Sequence, residues 1–396
     1  MKTFYKSLLP KKNTAKKFSL CIGMLLMFAM VSNATIRRVG FFGSPLAGVD
    51  YTTFSAANTA SASNDTILVF PGPAVGGDIT KKLVIIGTGN WLDGGSTPKG
   101  NVNLQAFTGS STSGQVNFKT GSAGSVISGF DFNGSAIFVG ANDVVIKRNR
   151  DLQVNLGYNI NAGASIPNTI NNLQLVENYK LGLVVSYANG FTQTNLNISN
   201  NLMAYSNLSV GNNYSGAMSN NIWVYDASLS AALSGGNTTF SSPSGVDLGN
   251  GAFLFQNNIL CPFSNVSAPS NPNYFGIANG NNTVFNNNMA LQTNTPPTWP
   301  AGNGNVVTPI ANYNLIFEGF PAIGTRSADD RYILKAGSPA LTVGAGGTPI
   351  GMFAGPSPYK LSTIPSIPTI YQLTSPQGNN PTGSTIQINV STRGNN

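Results

Sequence analysis

The densest group of chemically capable side chains is Asp143-Val-Val-Ile-Lys147-Arg148-Asn149-Arg150-Asp151, with Glu177 further on. Cations interleaved with carboxylates can do acid–base work on an anionic substrate, so Lys147, Arg148, Arg150, Asp151 and Glu177 are the candidate catalytic set. The same residues admit a plainer use. Alignment on Asn149 and Asn178 sets Arg148 opposite Glu177 and Asp151 opposite Lys180, two cross-strand ion pairs worth about 0.2–1 kcal/mol each at a surface. Arg150 is the odd member, because its slot holds Tyr179, Leu202, Ile222, Ile259 and Met289 in later units. A cation there implies a local register change, the favoured reading, or a group kept for an anionic ligand.

Other chemistries find little support. The chain has no histidine, which removes His-based triads, the commonest general base and the commonest metal ligand; no metal or cofactor is implied. Cys261 has no histidine to activate it and sits between Leu260 and Pro262, which reads as a packed thiol. Glycoside hydrolysis needs two carboxylates across one bond. The only adjacent acidic pair, Asp329-Asp330, falls after the break at Pro296–Pro300 and reads as a solvated turn.

Aromatic residues give a second lead. Tyr205 and Tyr225 each stand four places after a recurring asparagine, and Trp223 shares a strand face with Tyr225. An exposed strip of such rings suits a sugar face, so Tyr205, Trp223 and Tyr225 are the candidate ligand-binding residues; a buried stabilising stack is the alternative. Trp91 and Trp299, near Gly and Pro, read as loop packing residues.

The elements that position these groups follow from one recurrence. An apolar residue, two residues and an asparagine return as Ile146-Lys-Arg-Asn149, Leu175-Val-Glu-Asn178, Ile198-Ser-Asn-Asn201, Met218-Ser-Asn-Asn221, Phe255-Gln-Asn-Asn258 and Phe285-Asn-Asn-Asn288. An irregular period of roughly 20–37 residues with β-type residues inside each unit points to a stacked solenoid, an all-β right-handed parallel β-helix. Stacked amides can donate to one neighbour and accept from the other, so Asn149, Asn178, Asn201, Asn221, Asn258 and Asn288 are expected to form a structural ladder. On that reading Asn201→Leu or Asn221→Leu costs more than Asn281→Leu. Low charge suits the same scheme, since like charges would repel at every rung spacing of about 4.8 Å.

The spacing of Phe54 and Ala57 within Tyr51–Ala60 predicts a short capping helix. Strands are expected at Thr66–Phe70, Leu83–Ile86, Val126–Phe132, Val306 and Tyr332, and one more at Thr385–Val390. The division is 1–34 signal peptide, 35–63 N-terminal cap, 64–300 coils numbering about eight or nine, 301–371 closing coils and C-terminal cap, and 372–396 a polar tail.

Asn64-Asp-Thr-Ile-Leu-Val-Phe-Pro-Gly72 and Ile79-Thr-Lys-Lys-Leu-Val-Ile-Ile-Gly87 resemble the opening coil of right-handed β-helix proteins of the pectate-lyase-like superfamily. Arg331-Tyr-Ile-Leu-Lys-Ala-Gly-Ser-Pro-Ala340 and Ile350-Gly-Met-Phe353 are similar to the closing segment of its secreted bacterial members, many from Bacteroidetes. The resemblance implies fold and export; it extends to polysaccharide-cleaving enzymes and to adhesive proteins. A lyase of that type would use several carboxylates for calcium and an Arg or Lys base, for which the cluster at 143–151 is the one location. Thr342 and Pro349 stand where acidic residues are usual in the closing pattern.

Six lysines precede the apolar run Phe18–Val31 and the small-residue end Ser32-Asn33-Ala34, a cleavable export signal. They account for six of the eight net positive charges, so the basicity belongs to the signal and no nucleic-acid partner is implied. Cys21 lies inside the apolar run, away from a lipid-anchor position, and with only Cys261 left no intrachain disulfide can form. Asn-x-Ser/Thr sequons are read as composition. The mature chain, Thr35 onward, is expected outside the cytoplasm, as a periplasmic, cell-surface or extracellular protein without a transmembrane segment; its oligomeric state is open. Two functions follow. One is a non-catalytic glycan- or surface-binding protein, whose partner is a polysaccharide or cell-surface glycan; the other is a polysaccharide lyase or glycoside hydrolase working without histidine.

Overall fold

The structure, a computed structural model, describes residues 34–40, 49–92, 109–156, 169–185, 191–204, 208–209, 213–224, 246–248, 251–261, 277–278, 282–291, 300, 302–308, 313–320, 327–374 and 389–394. The protein is all-β, and its strands lie mostly in two long, all-parallel sheets of eleven strands each. The first runs in sequence order from Ile36–Val39 through Thr66–Val69, Val84–Ile86, Val126–Ser128, Val145–Lys147, Gln174–Val176, Thr192–Ser199, Tyr214–Ser219 and Ala252–Gln256 to Val284–Asn286. The second runs from Val75–Ile79 through Ser111–Phe118, Arg150–Leu156, Tyr179–Val185, Leu202–Ala204, Ile222–Val224, Ile259–Cys261 and Met289–Leu291 to Val306–Thr308. With Phe130–Asp131 between Ser111–Phe118 and Arg150–Leu156 in the second sheet, the chain alternates between the two sheets from Thr66 to Leu291. This is compatible with a parallel β-helix.

Period-2 alternation explains the core. Ile67, Ile85, Ile127, Ile146, Leu175, Ile198, Met218 and Phe255 are in register along the first sheet, all buried. They meet Leu152, Leu181, Met203, Trp223 and Leu260 of the second sheet in one apolar cluster. At the amino-terminal end a helix, Phe54–Ala60, is N-capped by Thr53 Oγ1 accepting from Ala56 N and turns Phe54 and Ala57 into the same cluster. Lys81 Nζ donates to the Asn58 and Ser61 carbonyls at its carboxyl end, where a cation is favourable.

Beyond Thr308 the chain forms a second apolar cluster. Tyr179, Leu202, Ile222, Ile259 and Met289, on successive strands of the second sheet, pack with Ile316, Phe317, Tyr332, Ile350, Met352 and Tyr359. Contacts of this closing segment step backward along the repeats. Gly351 N donates to Asn257 O (2.9 Å), Asn200 Nδ2 donates to Met352 O (3.0 Å) and Ala354 O (2.6 Å), and Arg148 Nη1 donates to Ile364 O (3.1 Å). Asn90 Nδ2 donates to Thr363 Oγ1 (2.7 Å). Residues 351–364 thus form a strap running antiparallel to the order in which the repeats stack.

Two local expectations need correction. Tyr332 ends a 3-10 turn, Asp330–Tyr332, and its buried ring packs on Phe317 and Phe320, so the apolar residues near it serve the second cluster rather than a strand. Asp329 is fully buried rather than solvated. It accepts from Ser327 Oγ (2.5 Å), Ser362 N (2.6 Å) and Tyr359 OH (3.3 Å), which ties the strap to the turn before it. The final strand is Asn389–Arg393, antiparallel to Thr369–Thr374. Among the described residues no helix is long and apolar enough to cross a membrane.

Candidate functional site: the asparagine corner, its ion pairs and an amide shelf

The corner between the two sheets is built by the recurring motif. Each motif asparagine accepts from the backbone N–H and the side-chain amide of the asparagine one repeat earlier: Asn149 to Asn178, Asn178 to Asn201, Asn201 to Asn221, Asn221 to Asn258 and Asn258 to Asn288, at 2.8–3.3 Å. Each also donates to the carbonyl of an apolar residue of the preceding motif, as Asn201 does to Leu175 O (2.8 Å) and Asn221 to Ile198 O (2.9 Å). That shared carbonyl explains why the apolar residue and the asparagine keep a fixed three-residue spacing. All six amides are fully buried, where an unsatisfied group would be costly and a satisfied chain rigidifies.

A seventh member, Asn305, continues the series, with Asn288 donating to its Oδ1 at 2.9 Å. It escaped sequence reading because Gly302 stands where the motif wants an apolar residue. At the other end Phe130 N donates to Asn149 Oδ1 (3.1 Å) and starts the ladder.

The residue before each ladder asparagine is left-handed. Arg148, Glu177, Asn200, Asn220, Asn257 and Asn287 have φ of 53–58°, a region asparagine tolerates and long side chains usually avoid. The Asn-Asn doublets therefore combine a turn residue with a ladder residue. Arg148 and Glu177 take the turn position instead and bond each other, Nε to Oε2, at 2.6 Å. Asp151 and Lys180, also at φ of 57° and 55°, pair at 3.9 Å. All four are between 5% and 9% exposed, and the strap covers Arg148 through Ile364 O. Burial pushes the Asp151 carboxyl above the usual carboxylate range, against the opposing pull of Lys180 and Arg150, while Asp131 reinforces the shift.

Arg150 stays in register, opposite Tyr179 on one side and Asp131 on the other, so the expected register change does not occur. It pairs with Asp131 (3.0 Å), and its guanidinium lies over the Trp91 ring, 4.8 Å from the centroid. Trp91 in turn meets Tyr179 edge-on at 5.0 Å. The slot is the row facing the second cluster, and at its first position the apolar partner is an indole that accepts a cation. Lys147 is half-buried on the first sheet; burial lowers its pKa, the Arg148 charge adds to this, and Glu177 opposes it. The candidate catalytic residues thus form neighbouring pairs, not one open constellation.

Trp223 is 1% exposed and packs inside the first cluster, its ring 6.1 Å from that of Phe255. As placed, it has no face to offer a ligand. Alternation does not say whether a strand face points in or out, and Ile222, Trp223 and Val224 are all buried. Tyr205, Tyr225 and Trp299 lie outside the described residues. Cys261 is buried in the second cluster. Among the described residues no group of three or more Cys, Asp or Glu could hold a metal ion.

An accessible polar array crosses three neighbouring repeats of the first sheet, from Asp143 ahead of Val145–Lys147, through Asn171, Asn172 and Gln174, to Thr194, Asn195 and Asn197 within Thr192–Ser199. Asp143 Oδ1 accepts from Asn172 Nδ2 (2.9 Å), Asn172 Oδ1 from Asn195 Nδ2 (3.1 Å) and from Gln174 Nε2 (2.7 Å), and Gln174 Oε1 from Asn197 Nδ2 (2.7 Å). Thr194 Oγ1 donates to Asn171 Oδ1 (3.0 Å). Asp143, Asn171 and Asn195 are exposed, and the rest are half-buried. These bonds leave second amide protons free on a shelf whose repeat is the strand spacing of about 4.8 Å. No protein-family model, curated protein or solved structure matches this chain.

Proposed function

We propose that the chain is an exported right-handed parallel β-helix of the pectate-lyase-like kind, acting as a non-catalytic binder of a polysaccharide or glycan-bearing surface. The observation that carries this reading is the amide shelf of Asn171, Asn172, Gln174, Thr194, Asn195 and Asn197, set on two successive repeats. Preorganised amides at a regular spacing match the alternating donors and acceptors of a sugar chain, and a neutral shelf suits a neutral polymer better than an acidic one. Pairing of Arg148 with Glu177 and of Lys180 with Asp151 supports a structural role for the charged cluster.

The test is retention of the purified chain on a panel of neutral and acidic polysaccharides, beside assays for new reducing ends and unsaturated products. The expected result is retention without cleavage, weakened at least several-fold by Asn172→Ala with Asn195→Ala. Cleavage, or retention indifferent to those substitutions, overturns the proposal.

A further inference from the structure

Asp65 is a buried carboxylate, 1% exposed, at the head of the strand Thr66–Val69. Its Oδ1 accepts from Thr35 N at 2.8 Å; its Oδ2 accepts from Ala62 N and from Arg37 Nε, each at 2.9 Å. Thr35 is fixed from its other side as well, because Thr66 N donates to Thr35 O at 2.9 Å. The nitrogen facing Asp65 therefore belongs to the residue that follows Ala34, where the small-residue end of the export signal places the scissile bond. Both Ala34 and Thr35 are exposed.

We propose that Asp65 is a receptor for a new amino terminus: hydrolysis after Ala34 turns the Thr35 amide into an α-ammonium held by the Asp65 carboxylate. In that hydrolysis, catalysed by the export-linked peptidase, the Ala34–Thr35 C–N bond breaks. Water supplies hydroxyl to the Ala34 carbonyl carbon and a proton to the Thr35 nitrogen, which takes a second proton from solvent. A hydrogen bond from a neutral amide to the carboxylate becomes one in which both partners carry charge, so processing strengthens a contact that the precursor already makes. The inference rests on the export-signal reading, and its test needs no glycan.

The groups facing the new ammonium are few. Arg37, on its own strand, shares Asp65 and donates through Nη1 to Tyr51 OH (2.8 Å); Arg38 and Asp50 pair with each other at 3.4 Å one residue further along. Asp65 is thus the acceptor for both Thr35 and Arg37. Burial raises its pKa, but the N–H donors of Thr35 and Ala62 and the Arg37 guanidinium outweigh burial and hold it below the usual range.

The experiment exports the full precursor from a bacterial host, reads the amino terminus of the product by sequencing and intact mass, and titrates its 13C-dimethylated α-amine by NMR. A precursor with one glycine inserted between Ala34 and Thr35 is the comparison; it moves the terminal nitrogen by about 3.8 Å. The expected product begins at Thr35, and its α-amine titrates above the ordinary range of about 7.7–8.0. The inserted form is expected within that range. The melting-temperature advantage of the native terminus should be full below about pH 7.7 and vanish as pH rises through the elevated value. Asp65→Asn should return the α-amine to its ordinary range. If that variant does not fold, the native and inserted forms still decide. A product starting elsewhere, or equal titration of the two forms, overturns the proposal.

Discussion

Asn201 shows what one residue does in this protein. Its side chain accepts from Asn178 and donates to the Leu175 carbonyl and to Asn221, all in the dark of the corner. Asn201→Leu strands several buried groups at once, each costing about 1–3 kcal/mol. The expected outcome is a loss of about 3 kcal/mol or more in chemical unfolding for Asn201→Leu or Asn221→Leu. Gln115→Leu, at an exposed position, should change stability by less than about 0.5 kcal/mol; Asn281, the comparison suggested by sequence, lies outside the described residues. Two carboxylates should respond to pH with opposite sign. Asp65, held low, contributes stability above its ordinary value of 3.8 that is lost as pH falls below it. Asp65→Asn should therefore lower the melting temperature at pH 7 and much less at pH 3. Asp151 is raised, so its ionised form is disfavoured in the fold. Asp151→Asn should therefore remove the part of the stability that the native chain loses as pH rises and Asp151 ionises; thermal melts across pH 3–8 check both.

At the scale of elements, what could be read from sequence was whatever repeats. The three-residue spacing from Ile146, Leu175 or Ile198 to its asparagine identified the corner because each repeat reuses one carbonyl and one amide. Asn305 was hidden by Gly302, and the left-handed role of the first asparagine in each doublet leaves no periodic trace beyond the doublet itself. The strap is not periodic at all. Its bonds join residues 94 to 273 positions apart, as between Asn257 and Gly351 or Asn90 and Thr363, and no local pattern encodes such a partner. Its fit can be probed at glycine. Gly351 has φ of +88°, and a Cβ there would lie 2.8 Å from Ile259 Cδ1; Gly346 has φ of +69° with open space around it. Both substitutions to Ala carry the backbone cost of about 1–2 kcal/mol, and only Gly351→Ala adds a clash. A larger loss for Gly351→Ala, together with faster proteolysis within 351–364, is the expected result.

For the whole molecule, the strap changes how repeats depend on one another. Stacked repeats alone touch only their neighbours and can fray from an end. Here one segment is bonded at Asn257, Asn200, Arg148 and Asn90, so distant repeats share a single partner. Unfolding followed by circular dichroism and tyrosine fluorescence should give one coincident transition for the native chain. Asn200→Ala combined with Gly351→Ala should separate the two signals. The backward course of the strap also has a cost in time. A ribosome delivers the repeats first, and the row Tyr179, Leu202, Ile222, Ile259 and Met289 is covered in full only when Ile316, Phe317, Tyr332 and finally Met352 and Tyr359 have emerged. Nascent chains cut short of residue 351 should therefore be sticky, binding hydrophobic dyes and holdase chaperones, whereas the finished polypeptide buries that stripe with its own last-made part.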